Sequence, residues 1–254
     1  MAETKWQIHA HRGGRDEFDE NTLAAFQASY DRGLRGFETD IHMCRDGALV
    51  IIHDSSLERT TCGTGDVEDQ TEAELRQVVT KQGNPILFLD ELIDFLADKP
   101  GLYFEFEMKT DPERYPPEKL AVYCRNVYEA IAPRTPADST YVFSSFDKRA
   151  LRQMRETAPE ADLMLITGSP CCEATIKEAQ ELGVKRLACT WDKSTRAAVR
   201  AAHEAGLVVA GWPGRTVRDY LLGVALGFDH MCADNPVEVL DFKERHLPWL
   251  DSWK

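Results

Sequence analysis

Eight residues in the first 110 carry side chains that could do chemistry together. Two are histidines, His11 in His9-Ala10-His11-Arg12-Gly13-Gly14 and His53 in Ile51-Ile52-His53-Asp54. Glu38-Thr39-Asp40 lies in an extended run, where the two-residue strand period puts both carboxylates on one face and Phe37, Thr39 and Ile41 on the other. Tyr103-Phe104-Glu105-Phe106-Glu107-Met108-Lys109 repeats the pattern, with Glu105, Glu107 and Lys109 on one face. Acidic groups that converge on a strand's inner face are costly unless something binds them. Hard oxygen donors favour Mg²⁺ or Ca²⁺ over zinc. A dication held this way can neutralise a phosphoryl oxygen and acidify an attacking hydroxyl. Two histidines on opposite strands suit general base and general acid near neutral pH. Arg12 and Lys109 add the local positive field that a phosphate requires. The constellation reads as phosphoester chemistry. For Glu38 and Asp40 alone, an exposed strand face explains the pattern as well, and Glu105 and Glu107 could pair in a salt-bridge network. His9 and His42 read as structural, and Asp66, Glu68, Asp69, Glu72 and Glu74 as a solvated face.

The elements that must position these groups recur as a short β-branched run, a turn signal and an amphipathic helical pattern. Strands are expected at Gln7–His11, Gly36–Ile41, Leu49–His53, Tyr103–Met108, Thr140–Ser145, Asp162–Ile166, Arg186–Thr190, Leu207–Trp212 and His230–Ala233. Helices are expected at Thr22–Arg32, with Asn21 as N-cap, and at Glu118–Ile131, Lys148–Thr157, Glu173–Leu182 and Thr195–Ala205. This alternation over 254 residues favours a closed parallel (β/α)8 TIM barrel, in which strand C-termini build the site. Nine strands is one too many, and Arg186–Thr190 is the weakest. The second and third strands are joined by His42–Ala48, too short for a helix. Residues 54–102 form a small insertion between the third and fourth strands, lying over one barrel mouth. It carries a capping box, Thr71-x-x-Glu74, and an apolar stripe at Leu89, Leu92, Ile93 and Leu96. A doubly wound open sheet is the alternative, but no glycine-rich phosphate loop supports it.

Composition narrows the partners. Thirty Lys and Arg against 43 Asp and Glu give a net charge of −13, which argues against nucleic acid and anionic membranes. No apolar run approaches the ~18 residues of a membrane-spanning helix, and Met1–Trp6 has no secretory apolar region, so stable membrane insertion is not expected. Seven cysteines without a Cys-x-x-Cys pair read as free thiols of a cytoplasmic protein, with Cys171-Cys172 as loop thiols rather than a redox pair.

Several runs together resemble one family. They are His11-Arg12-Gly13, Glu20-Asn21-Thr22, Glu38-x-Asp40, Asp46-Gly47, His53-Asp54, and Leu57-x-Arg59-Thr60-Thr61-x-Gly63-x-Gly65. Glu107-Met108-Lys109, Ser145-Phe146-Asp147, Trp212 and Gly227-Phe228-Asp229 with Asp234-Asn235-Pro236 follow in order. The pattern is similar to that of the glycerophosphodiester phosphodiesterases over essentially the whole chain. The resemblance implies one TIM-barrel domain, 1–254, with 54–102 as its insertion. It implies a divalent metal, Mg²⁺ or Ca²⁺, on Glu38, Asp40 and Glu107, with His11 and His53 as the acid/base pair. Arg12 and Lys109 would meet the phosphate, and Trp212 would border the substrate; Glu105, a residue of this chain's own, is expected to border it too. Such enzymes hydrolyse small diesters, such as glycerophosphocholine or glycerophosphoethanolamine, to glycerol 3-phosphate and an alcohol. In the implied route the glycerol 2-hydroxyl attacks phosphorus, giving a cyclic phosphate that water opens. The chain departs from the pattern at Asp19, at Trp212-Pro213-Gly214, at Ala233 and at Glu105. The changes at the last strands bear on substrate fit rather than on the metal site. Glu105 adds a ligand or a proton-sharing carboxylate whose pKa its neighbours raise. A lysophospholipase D or phosphoinositide-cleaving enzyme on the same barrel is the nearest alternative, with Leu87, Phe88 and Leu89 as an apolar lip or as a packed helix. A barrel that binds phosphodiesters without turnover is the other.

Overall fold

The computed structural model describes residues 7–251. Eight parallel strands close into a barrel: β1 (Gln7–His11), β2 (Gly36–Met43), β5 (Tyr103–Met108), β6 (Thr140–Ser145), β7 (Leu163–Pro170), β8 (Arg186–Thr190), β9 (Val208–Gly214) and β10 (His230–Ala233), with β10 returning to β1. The two short strands left over are not barrel staves: β3 (Leu49–Ile51) runs antiparallel to the outer part of β2, and β4 (Leu87–Phe88) antiparallel to β3. The ninth expected strand is therefore the one bearing His53, whereas Arg186–Thr190 is a regular stave paired on both sides. His42–Ala48 is too short for a crossover, so the chain can only turn back antiparallel.

Each stave is followed by a helix: α1 (Leu23–Arg32), α3 (Leu89–Leu96), α4 (Pro117–Ile131), α5 (Lys148–Thr157), α6 (Glu173–Glu181), α7 (Arg196–Glu204), α8 (Val217–Leu226) and α9 (Pro236–His246). A four-residue helix, α2 (Glu72–Leu75), opened by the Thr71–Glu74 capping box, is extra. Residues 54–102 divide in two. Leu89, Leu92, Ile93 and Leu96 join the main core between staves and helices. Leu57, Val67, Leu75, Ile86 and Phe88 build a smaller core with Cys44, Val50 and Ile52. Leu87, Phe88 and Leu89 are all buried, so they offer no lip to a lipid.

β2 and β5 show why the inner wall is charged. Phe37, Ile41, Phe104 and Phe106 face the helices, and period two then forces Glu38, Asp40, Glu105 and Glu107 inward. The register sets Glu38 beside Glu105 and Asp40 beside Glu107. Farther round the barrel the inner positions are apolar or small: Val142, Met164, Ile166, Ala188 and Ala210.

Candidate active site

The turn after β1 delivers the first functional groups. Gly13 adopts φ +80°, and a Cβ there would lie 2.8 Å from the Ala25 side chain, so only glycine lets α1 pack this close. Arg12 is held at φ +53°, which turns its side chain into the barrel mouth. Its backbone N–H donates to Glu38 Oε2 (3.2 Å), and its guanidinium reaches Glu20 Oε1 (3.0 Å) and Asp40 Oδ2 (3.2 Å). Asn21, expected to cap α1, instead takes φ +57°; Thr22 is the cap. Freed from that task, the Asn21 amide donates to Asp40 Oδ2 (2.9 Å) and accepts from Thr39 Oγ1 (2.9 Å).

Glu38, Asp40 and Glu107 meet with one oxygen each inside 4.8 Å of the others. Lys109 Nζ lies 2.7 Å from Glu107 Oε1 and 3.2 Å from Asp40 Oδ1. Burial, with Asp40 and Glu107 close by, pushes the Glu38 carboxyl well above the usual range. Burial raises Glu107 as well, against the pull of Lys109. Burial would also raise Asp40, but Lys109 and Arg12 hold it far below. Asp40 Oδ1 is buried with no hydrogen-bond donor in bonding geometry. Three inward carboxylates that share the Lys109 and Arg12 cations, with one buried oxygen making no hydrogen bond, form a hard donor set that fits a divalent cation.

Each histidine is backed by a carboxylate at Nδ1. His11 pairs there with Asp234, the residue after β10, and its Nε2 lies 3.7 Å from Glu38 Oε2. His53 follows β3 rather than a stave, so the two histidines do not stand on opposite barrel strands. Its Nδ1 lies 2.6 Å from Asp54 Oδ1, and its carbonyl accepts from His42 Nε2 (3.1 Å). Burial lowers the His53 imidazole to about 4, against the pull of Asp40. Arg59 ties this edge together, pairing with Asp54 and with both Glu20 oxygens (2.8 Å each). Glu68 is buried against His42 Nδ1 (2.8 Å) rather than solvated. Asp54, Asp234, Glu20 and Arg59 stand in the sequence runs, but spacing alone gives them no role, and it gives Asn21 only that of a helix cap.

Glu105 sits deeper. Its Oε1 lies 3.2 Å from His9 Nδ1 and 3.2 Å from His230 Nε2, in a stack of His9 with His230 (4.2 Å) and Tyr103 (4.3 Å). The expectation that its neighbours raise its pKa fails. Burial would do so, but His230 and His9 hold the carboxyl well below its usual range. Burial and His230 lower His9 to about 4.

These groups open on one cavity of about 190 Å³, lined by His11, Arg12, Glu38, His53, Glu105, Glu107 and Asp234 on one side. Phe146, Ile166 and Trp212 form much of the other, with the Phe146 and Trp212 rings edge-on at 5.6 Å. Lys109 faces the adjoining groove shared with His42 and Asp147. The arrangement can bind a cation, hold an anion beside it and place two imidazoles near both. Residues 11–238 match the model of the glycerophosphoryl diester phosphodiesterase family. The chain belongs to that family. A glycerophosphodiester phosphodiesterase of Caldanaerobacter subterraneus is 32% identical over 173 residues, which are 64% of this chain and 67% of that protein. A solved phosphodiesterase of Oleispira antarctica, in complex with the product sn-glycerol-3-phosphate, has a TM-score of 0.85 at 24% identity, over 94% of this chain and 96% of that one. A glycerophosphodiester phosphodiesterase of Parabacteroides distasonis has a TM-score of 0.79 at 20% identity, over 94% and 97%. This glycerophosphodiester phosphodiesterase is thus a phosphoric diester hydrolase on a TIM barrel, and no helix among its described residues is long and apolar enough to cross a membrane.

Proposed function

We propose that the enzyme uses one Mg²⁺ or Ca²⁺ to hydrolyse small glycerophosphodiesters, of the type of glycerophosphocholine or glycerophosphoethanolamine, to glycerol 3-phosphate and an alcohol. Glu38, Asp40 and Glu107 would hold the ion. When bound, it supplies charge to a phosphoryl oxygen and lowers the pKa of a nearby hydroxyl. The protein's own groups do the rest. The Arg12 and Lys109 cations hold Asp40 and Glu107, the Arg12 N–H holds Glu38, and both cations add positive potential for the phosphate. Asp234 and Asp54 orient the two imidazoles through Nδ1, which turns Nε2 toward the reactants. One imidazole takes the proton of the attacking glycerol 2-hydroxyl; the other gives a proton to the departing alcohol oxygen, and their roles reverse when water opens the cyclic phosphate. Trp212 and Phe146 pack against the carbon skeleton, and Glu105 meets a polar group at the cavity floor. The whole chain acts as one catalytic domain in the cytoplasm, with 54–102 contributing Asp54 and Arg59.

The observation that carries this reading is the buried cluster of three carboxylates, each with an oxygen within 4.8 Å of the others, in which Asp40 Oδ1 makes no hydrogen bond. The test couples release of glycerol 3-phosphate from glycerophosphocholine to an NAD-linked readout, with chelator and after adding back Mg²⁺ or Ca²⁺. Loss and recovery of turnover support the reading. Full turnover in chelator, with the ion shown to be absent, removes the metal from it.

A further inference from the structure

The cavity wall carries positive charge that the reaction does not use. The Arg12 guanidinium is committed to Glu20 and Asp40. The carboxylates facing the cavity have partners too: Asp234 on His11, Glu105 on His9 and His230, Glu107 on Lys109, and Glu38 on the Arg12 N–H. Two other guanidiniums line the same cavity, Arg15 beyond the turn after β1 and Arg215 directly after β9. Arg15 Nε is buried without a hydrogen-bond partner, and its nearest carboxylate oxygen, on Asp16, is 3.8 Å away. The Arg215 side chain makes no ion pair among the described residues and is exposed at the mouth, beside Trp212 and Pro213. Two guanidiniums lining one cavity, neither in a close ion pair, form a local positive field, and their planar forks match phosphate geometry.

We propose that Arg15 and Arg215 bind a negative charge on the alcohol half of the substrate, so that the preferred glycerophosphodiesters are those whose alcohol carries a second phosphate. This rests on the functional reading above and names its substrate class. The chemistry at the reacting phosphorus is unaltered: water supplies oxygen to phosphorus and a proton to the alcohol, the bond from phosphorus to the alcohol oxygen breaks, and the second phosphate leaves intact with the alcohol. The reacting phosphoryl belongs at the carboxylate cluster, where Arg12 and Lys109 already supply cations.

The test compares two diesters with the same reacting half: glycerophosphoglycerol, and its homologue in which the alcohol glycerol bears a further phosphoglycerol. The wild type is expected to favour the second by roughly tenfold in kcat/KM at low ionic strength, mainly through KM, since two partly exposed charge pairs act together. That preference shrinks as salt screens it. In Arg15→Gln and Arg215→Gln the ratio between the two diesters moves toward one. Equal constants in the wild type overturn the inference alone. An equal loss on both diesters in the variants also overturns it, because the arginines would then serve the shared phosphate. No turnover of either diester overturns the functional reading, and this inference with it.

Discussion

Replacing Lys109 with methionine removes the cation that Asp40 and Glu107 share while keeping most of the side chain's length and apolar contact. The lysine Nζ stands 2.7 Å from Glu107 and 3.2 Å from Asp40, on a side chain 15% exposed. Stranding a buried charge costs about 3–5 kcal/mol. A carboxyl can escape that cost by binding a proton, and the escape itself costs ~1.4 kcal/mol for each pH unit above its ordinary value of 4.5. At pH 7 the escape comes to about 3.4 kcal/mol, and at pH 5.5 to about 1.4 kcal/mol. The cheaper route wins, so the metal-free variant is less stable than wild type by up to ~3 kcal/mol at pH 7 and ~1 kcal/mol at pH 5.5. The sign follows from linkage: a carboxyl with a raised folded pKa loses stability as pH climbs from its unfolded value through its folded one. At this chain length the neutral-pH loss is a drop of about 6–12 °C in Tm. Thermal melts followed by circular dichroism, in chelator at both pH values and again with Mg²⁺ or Ca²⁺, read it directly. The gap is expected to shrink at pH 5.5 and to narrow when the ion supplies the missing charge. A gap that ignores both pH and metal would refute the reasoning.

His11→Ala and His53→Ala are each expected to cut kcat by about 10²- to 10⁴-fold with a smaller change in KM; steady-state kinetics on glycerophosphocholine checks this, and full activity of either variant contradicts the acid/base assignment. Because His53 is held at about 4, its imidazole stays neutral well into mild acid. Its contribution to the acid limb of kcat/KM should therefore fall below pH 6.5, and a limb that His53→Ala leaves unmoved would count against the assignment. A Cβ on Gly36 would lie 2.1 Å from the His9 ring, which the His230 stack and Glu105 hold in place. Gly36→Ala should cost about 1–3 kcal/mol in urea unfolding, and an unchanged midpoint would show that His9 is free to move.

The fold was legible because its periods are clean. Glu105 and Glu107 alternate with Phe104 and Phe106, which separates a charged face from an apolar one within a single strand. Strands are local, but their pairing is not. Nothing in Leu49–Ile51 itself says that it runs antiparallel outside the barrel, and a run of apolar residues there looks like any stave. α8 and α9 went unread for a similar reason. α8 carries Gly223 and few fully buried side chains, and α9 opens on Pro236, so neither shows a strong stripe. In the site, the residue types that meet reactants could be named from strand ends. Those that hold them could not. Asp234 reaches His11 across 223 positions of chain, and Asn21 reaches Asp40 only because it adopts a left-handed backbone that its neighbours impose. Arg12 and Lys109 were expected to face a phosphate, and they also brace the carboxylates, a double duty that residue type does not reveal.

The central claim is that Glu38, Asp40 and Glu107 gather around one divalent ion at the barrel mouth. Crystals of the active enzyme soaked in Mn²⁺ and measured for anomalous scattering test it most directly. A single strong peak is expected within bonding distance of all three carboxylates, absent after Asp40→Asn. A peak elsewhere, or none in an enzyme that still turns over its diester, contradicts it.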